Sequence, residues 1–418
     1  MTDKTKFTTI SRRRFLASTA AGTALASAGM LAMPHVARAA SPVKVGVVHP
    51  VTGWAQYSGS QCRFGAMMAL EEINANGGIK SLGGAKLEAA MGDAQSKPEV
   101  GAAEVEKLNE AGVSAIVGAY ASNICLATTQ AAAKHGIPHV VDVGVNDKIV
   151  KRGLSNTFRF GPGFGIITQH GVDSFLAINK AAGNPTKRVA IVHENTTGFG
   201  AGIAGIMTKG LAPAGIEVVE VLPHPTPNKD FRNIVLKLKE VDADVVIPSH
   251  YYNEGVLFLR TLQRQKVQPK AIYSVLGGAS SQYRFVSEFP DAAQYVLDCN
   301  HWFDPKNPAA AAARKKTEAA GKHFNYEVFL AYSAMMFTAD AIERAGSTDR
   351  AKITEAMASS SWSGHFMPYG PDQDGQRPEH WRPPLGDAGV GQGDRSRLAS
   401  RLRHQGGRVP PAGLTGAV

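Results

Sequence analysis

Cysteine is scarce in this chain: only Cys62, Cys125 and Cys299 occur in 418 residues. They are widely separated and odd in number, with no CxxC and no metal-type spacing, so neither a zinc scaffold nor a disulfide framework is expected. Small buried thiols are the expectation, with one disulfide as the alternative that an oxidising compartment would allow. Net charge in the body is low as well. Of the formal +10, residues 1–39 carry +5 and residues from 371 onward carry +2, which leaves +3 between them. No basic stripe alternates with aromatics there, so nucleic acid is not an expected partner. Catalytic signatures are also missing: there is no GxSxG elbow, no HExxH, no GxxxxGK[ST] and no cysteine beside a histidine. An enzyme is therefore disfavoured, and neither a cofactor nor a metal is expected. His49, His135, His139, His193, His250 and His301 are scattered over strand ends and turns, where surface or structural roles outweigh ligation.

The first forty residues hold the most distinctive feature. Ser11, Arg12, Arg13, Arg14, Phe15 and Leu16 precede a run of small and apolar residues over 17–33, which closes at Ala37, Arg38 and Ala39 with Ala40 following. A charged start, an uncharged middle and a small-residue cleavage site are the parts of an export signal, and the arginine pair resembles the twin-arginine class. The uncharged stretch is about 17 residues of mostly Ala, Gly, Ser and Thr, where a membrane span needs about 20 strongly apolar ones. Export with cleavage near Ala39/Ala40 is expected, and no later run is long enough to span a membrane.

About 330 residues separate the signal from Pro371, enough for two domains of ordinary size. From Val43 the chain repeats a β-branched run, a turn and an Ala-rich helical stretch. The pattern predicts strands over 43–48, 86–91, 114–117, 139–141, 189–192, 216–221, 245–247 and 271–274. Helices are predicted over 61–74, 99–109, 124–134, 166–180, 203–211, 231–239 and 255–265. Such alternation gives an α/β fold with parallel sheets covered by helices on both faces. The rhythm breaks at 157–165, 300–308 and 363–371, where glycine, proline and short extended runs mark crossings between domains. The expected architecture is two doubly wound parallel-sheet lobes joined by three crossover strands. Lobe 1 takes 42–160 plus 302–364, and lobe 2 takes 161–301 plus 365–371.

Gly200, Gly202 and Gly205 spell GxGxxG between a strand and a helix. A dinucleotide fingerprint places its first glycine directly after the strand, whereas residues 193–199 intervene here; a small-residue helix face is the better reading. Ligands of open α/β sheets meet the carboxyl ends of the strands. Three loops at that edge of lobe 1 stand out: 52–59 with Trp54, Gln56 and Tyr57; 118–123, which places Ser122 to cap the next helix; and Gly144, Val145 and Asn146, whose backbone can approach a ligand. A helix start has unpaired N–H groups and partial positive charge, so Ser122 and the following amides, beginning at Asn123, suit a carboxylate or other oxygen-bearing group. In lobe 2, Phe199 and the pair Tyr251 and Tyr252 offer aromatic walls opposite that polar floor.

Taken together, these stretches resemble the periplasmic ligand receptors of branched-chain amino-acid and amide ABC transporters, the type I solute-binding fold. The resemblance rests on 43–57 with Gly59, 64–78 (FGAMMALEEINANGG), 115–122 (AIVGAYAS), 193–200, 244–254 and 326–346 (YEVFLAYSAMMFTADAIERAG). It implies that Ser122 and the 144–146 loop hold the ligand's head group. It further implies that Tyr57 lines the lobe 1 side, that Phe199 stands where relatives often carry tyrosine, and that Tyr251 closes from lobe 2. At one position the chain departs: where amino-acid-binding relatives place an acid to neutralise the ligand's ammonium, the counterpart is Leu276. A buried ammonium without a counter-charge is costly, so a carboxylate, aromatic acid or amide is expected in preference to a free α-amino acid, with Glu194 or Glu254 as possible replacements for the charge. The implied function is a monomeric periplasmic receptor that passes a small molecule (amino acid, amide or organic acid) to an ABC permease in the inner membrane. A sensor for a membrane signalling receptor and an exported α/β enzyme are the alternatives.

After Pro371 the composition turns to Arg, Gly, Pro and Ala. Residues 372–418 are expected to be an irregular tail, either a disordered extension or the product of a reading-frame change in the gene.

Overall fold

The computed structural model describes residues 41–360, 362 and 364 and the backbone of 371–373. The signal-like segment and the tail from residue 374 lie outside the described residues. The first sheet begins with β1 (Val43–His49), which leads through α1 (Gln56–Ala75) to β2 (Leu87–Asp93), then α2 (Pro98–Glu110), β3 (Ala115–Gly118), α3 (Ser122–Lys134), β4 (His139–Val141) and β5 (Thr157–Phe160). The second contains, in turn, α4 (Phe164–Ala181), β6 (Arg188–Glu194), α5 (Phe199–Leu211), β7 (Glu217–His224), α6 (Arg232–Val241), β8 (Val245–Ser249), α7 (Tyr252–Arg264), β9 (Ala271–Val275), α8 (Tyr283–Glu288) and β10 (Val296–Cys299). Then come α9 (Pro308–Ala319), α10 (Tyr326–Ala345), α11 (Arg350–Ala358) and β11 (Pro371–Gln373).

Strand order is β11-β5-β4-β3-β1-β2 in one sheet and β10-β9-β8-β6-β7 in the other. Every pairing is parallel except β11 on β5. Two such sheets, each layered with helices, are the expected two-lobe α/β architecture. Central strands covered on both faces read as near-continuous apolar runs, and β8 is buried at all five positions. The chain crosses between sheets after β5 and again between β10 and α9. Much of the third expected crossing lies outside the described residues.

Local chemistry sets the ends of the elements. Pro98 occupies the first turn of α2, where its missing N–H costs nothing. Gly346 takes a left-handed conformation, φ +53°, after α10, the usual helix stop. In lobe 1, α10 lies so close on α1 that a Cβ at Gly65 would stand 2.2 Å from the Val328 carbonyl oxygen. In lobe 2, Phe231, Val235, Phe258 and Phe285 form the centre of the core.

Several expectations are corrected. The break at 157–160 contains β5, a buried strand, and β10 was not anticipated. Pro371 was assigned to lobe 2, yet it pairs with Phe160, and Gln373 pairs with Phe158, in the first sheet. The exposed edge of β5 accepts a short antiparallel strand there, so residues 371–373 return to the first lobe. Likewise α1, α5 and α7 begin at Gln56, Phe199 and Tyr252, about one turn before their predicted starts. Those first turns line the cleft, although Tyr252 also reaches the second-lobe core, and their mixed polar and aromatic residues lack the apolar spacing from which a helix is read.

Candidate functional site

Between the carboxyl ends of both sheets lies a hollow whose empty space, counted out to open solvent, is about 360 Å³. Its first-lobe wall consists of Tyr120, Ser122, Val143 and Val145; Phe199, His250, Tyr251 and Leu276 face them from the second. Asn300 and His301, on the crossing, and Tyr326, at the start of α10, complete it. A smaller adjoining hollow of about 170 Å³ shares Tyr120 and Tyr251 and adds Trp54, Tyr57, Ser58, Tyr252 and Asn253. Thus Ser122, Val145, Phe199, Tyr251 and Leu276 share one cavity, with Tyr57 next door.

Asn123, Gly144 and Asn146 are placed differently. Asn123 Oδ1 accepts from the Ile124 amide at 2.9 Å. Gly144 packs on Cys125, where a Cβ would lie 2.6 Å from the sulfur, and its N–H is turned onto that sulfur. Asn146 serves as a bridge: its N–H donates to Ser122 Oγ at 3.2 Å and its Nδ2 donates to the Thr197 carbonyl of the opposite lobe at 3.1 Å. Ser122 itself is the first residue of α3 and does not cap it; the cap position is Ala121. Gln56 and Tyr57, expected in a loop, lie in the first turn of α1.

Tyr251 is the hub of the closed cleft. Its ring centroid lies 4.8 Å from Trp54, 5.4 Å from Phe199 and 5.7 Å from Tyr120. Its hydroxyl donates to Thr197 Oγ1 at 3.1 Å and faces the Ser122 N–H, which favours the ionised phenol without outweighing burial. Burial, then the nearby Glu194 carboxylate, pushes the phenol well above its ordinary pKa, so it stays a neutral donor. Other contacts also join the lobes: Tyr57 stacks on Tyr252 at 4.4 Å, and Asn253 Nδ2 donates to the Trp54 carbonyl at 2.9 Å.

Behind the first-lobe wall lies a buried histidine–aspartate pair that the sequence does not reveal. Asp142 Oδ2 is 2.6 Å from His49 Nε2, with both side chains fully buried. Asp142 Oδ1 accepts from the Val143 N–H at 2.7 Å and the Tyr120 N–H at 3.2 Å. Burial raises the Asp142 pKa, but His49 and the two amides outweigh it and leave the carboxyl below its usual range. The pair therefore fixes two cavity residues, one of them Tyr120 in a left-handed conformation at φ +65°, which costs a non-glycine residue about 1–3 kcal/mol. Cys62 brings its sulfur within 4.8 Å of both groups; burial pushes that thiol well up, and Asp142 has both oxygens engaged. Arg159, also unanticipated, is buried and donates to the Val145 and Asn146 carbonyls at 3.4 and 3.1 Å, holding that loop in place.

Among the described residues, no Asp, Glu, Lys or Arg lines either hollow. Glu194 is fully buried but turned into its own loop, accepting from Thr196 N, Thr197 N, Thr197 Oγ1 and Gly200 N at 2.8–3.1 Å. Glu254 accepts from Asn228 N at 3.3 Å, outside the lining. Leu276 does line the cavity. Two glycines of the GxGxxG serve packing, since a Cβ at Gly200 would lie 2.3 Å from the Glu194 carbonyl oxygen and one at Gly202 would lie 2.4 Å from the Phe164 ring, while the Cβ position of Gly205 is open.

A family model described as periplasmic binding protein matches residues 42–381. The chain belongs to that family. This periplasmic binding protein is 31% identical over 291 residues to the Leu/Ile/Val-binding protein homolog 8 of Brucella suis, covering 69% of this chain and 70% of the relative. It is 29% identical over 327 residues to homolog 3 of Brucella melitensis, covering 75% and 83%. Among solved structures, the branched-chain amino acid substrate-binding protein LivJ of Streptococcus pneumoniae, in complex with isoleucine, superposes with a TM-score of 0.67 at 21% identity over 76% of this chain and 88% of that one. A solute-binding protein from R. palustris in complex with benzoate superposes with a TM-score of 0.67 at 19% identity, covering 80% and 89%. The family resemblance and the two-lobe fold read from the sequence agree with these findings, as does a binding role rather than an enzymatic one.

Proposed function

We propose that this periplasmic binding protein is an exported receptor that closes its lobes over a small organic acid or amide and delivers it to an ABC permease in the inner membrane. The observation that carries the ligand class is the lining: Leu276 stands in the cavity, and the two candidate replacement acids, Glu194 and Glu254, are not part of it. An ammonium group enclosed there would meet no counter-charge. The head group is held by Ser122 and the helix start behind it, where N–H dipoles substitute for a cation, and the Val145–Asn146 loop closes the floor. Tyr251, Phe199 and Tyr57 form the walls. The lobes take up 42–160 with 302–364 and 161–301, and the chain acts as a monomer after twin-arginine export and cleavage near Ala39/Ala40.

Work for closure comes from the ligand, which binds the closed arrangement better than the open one. Calorimetric titration of the chain from Ala40 with leucine, isoleucine, valine and benzoate tests the reading. Benzoate is expected to bind and the three amino acids to give no heat; tight binding of any of the three would defeat it.

A further inference from the structure

We infer that Gln282 and Glu327 form a clasp between the lobes that makes closure proton-dependent, with Glu327 as a positioning residue that never touches the ligand. This rests on lobe closure as proposed above, but not on any ligand identity. Glu327 lies in the first turn of α10, packed on α1 in lobe 1; Gln282 follows β9 in lobe 2 and leads into α8. Both are sealed, at 0% and 1% exposure. Gln282 Nε2 donates to both Glu327 oxygens at 2.6 Å, and Gln282 Oε1 accepts from the Tyr57 hydroxyl at 3.4 Å. The backbone N–H of Glu327 itself and the hydroxyls of Ser58 and Tyr326 also face the carboxylate and favour its charged form.

Every one of those partners is uncharged. The titratable groups facing Glu327 are Tyr57 and Cys62 on α1, Tyr120 on the loop before α3, Tyr252 on α7 and its neighbour Tyr326. Each of these five is held above its ordinary pKa, first of all by burial, and so is neutral. Arg284 lies over the Tyr57 ring, 4.9 Å from its centroid. A carboxylate closed in by neutral groups loses hydration without gaining a cation. Burial is accordingly the chief cause that pushes Glu327 up to about 7, against the lowering effect of the Gln282 bond. Opening the lobes removes Gln282 and admits water, which returns the group toward the ordinary glutamate value of about 4.3.

The sign follows from linkage. A carboxyl whose pKa is higher closed than open takes up a proton on closing. Closure is therefore least favoured above pH 7 and strengthens as pH falls from about 7 toward 4.3, by at most about tenfold in the closed-to-open ratio per pH unit.

Small-angle X-ray scattering of the ligand-free chain from Ala40, between pH 5 and 8, tests the clasp. The wild-type radius of gyration should fall on acidification. Glu327→Gln, which keeps the shape but cannot ionise, should stay compact throughout. Gln282→Glu, which sets a second carboxylate against the first, should be open at pH 8 and close on acidification. Circular dichroism melts establish which variants fold; should Glu327→Gln not fold, Gln282→Glu decides by comparison with wild type. Superimposable profiles for wild type and the folded variants, flat or sloped, would overturn the clasp. Compaction with benzoate alongside such profiles would leave the receptor reading standing, whereas a radius unmoved by benzoate and pH alike would remove both.

Discussion

The Tyr251 hydroxyl faces the Ser122 amide of the opposite lobe and donates to Thr197 Oγ1 at 3.1 Å, and Thr197 Oγ1 donates in turn to the buried Glu194 carboxylate at 2.9 Å. The phenol thus occupies the helix-start position proposed for a ligand's head group, while its ring contacts three aromatic neighbours. Ring and hydroxyl have separable weights. Each aromatic pair contributes about 0.5–1.5 kcal/mol beyond area burial, and a neutral hydroxyl bond contributes about 0.5–1.5 kcal/mol. Tyr251→Ala should weaken benzoate binding by more than about tenfold, and Tyr251→Phe by distinctly less. Calorimetry with both variants checks the order; equal losses would mean that the hydroxyl carries the effect.

Asp142 and His49 make the corresponding prediction for stability. Removing Asp142 leaves the buried His49 ring and the Tyr120 and Val143 amides without their acceptor, and each buried polar group left unpaired costs about 1–3 kcal/mol, so a total of about 3–5 kcal/mol is expected. Asp142→Ala should therefore lower the unfolding free energy by about that amount, read as a lower denaturant midpoint at an unchanged slope, and loosen Tyr120 and Val143, weakening binding as well. The Asp142 carboxyl is depressed in the folded protein, so its contribution is complete above the ordinary aspartate value of about 3.9 and is lost as pH falls through the folded value. The gap between wild type and Asp142→Ala should narrow below pH 4, as seen in urea melts at pH 3 and 7.

What was legible in the sequence follows from where periodic burial reaches. Strands such as β1 and β8 are buried along their length and announced themselves as apolar runs. The first turns of α1, α5 and α7 face the cleft, so Tyr57, Phe199 and Tyr252 read as loop residues although they are helical. Ser122 lines the cavity, but as the first helical residue of α3 rather than as its cap, a position that Ala121 takes. The pairing of His49 with Asp142, 93 residues apart, left no mark that spacing could reveal. Arg159 and Glu327 were equally hidden, since a buried charge is recognised only when its partners are in view. Asp142 ends the His139–Val141 run just as the chain turns into the 144–146 loop, the one local hint that an acid there has work to do.

Gly65 gives a prediction about packing alone. With the Val328 carbonyl oxygen 2.2 Å from where a Cβ would stand, Gly65→Ala forces α1 and α10 apart, and overpacking of this kind costs about 1–3 kcal/mol. The thermal midpoint should drop, whereas Gly205→Ala, with nothing within 4 Å of its Cβ position, should leave it level or slightly raised through better helix propensity. Differential scanning calorimetry of the two variants makes the comparison on one chain.

Leu276 offers a gain-of-function test of ligand class. Its backbone is left-handed at φ +52° and its side chain lines the cavity from the end of β9. Leu276→Glu would place a carboxylate where an enclosed ammonium would otherwise be unpaired. Without ligand that acid is itself uncompensated, so the variant should melt below wild type. Leucine should then restore stability, since binding to the folded state alone raises the midpoint by mass action. A charge-assisted hydrogen bond contributes about 1.5–3 kcal/mol, so leucine affinity should rise by about tenfold or more while benzoate binding falls through like-charge repulsion. A variant that gains nothing for leucine, although folded and still binding benzoate, would show that the missing counter-charge is not what excludes α-amino acids.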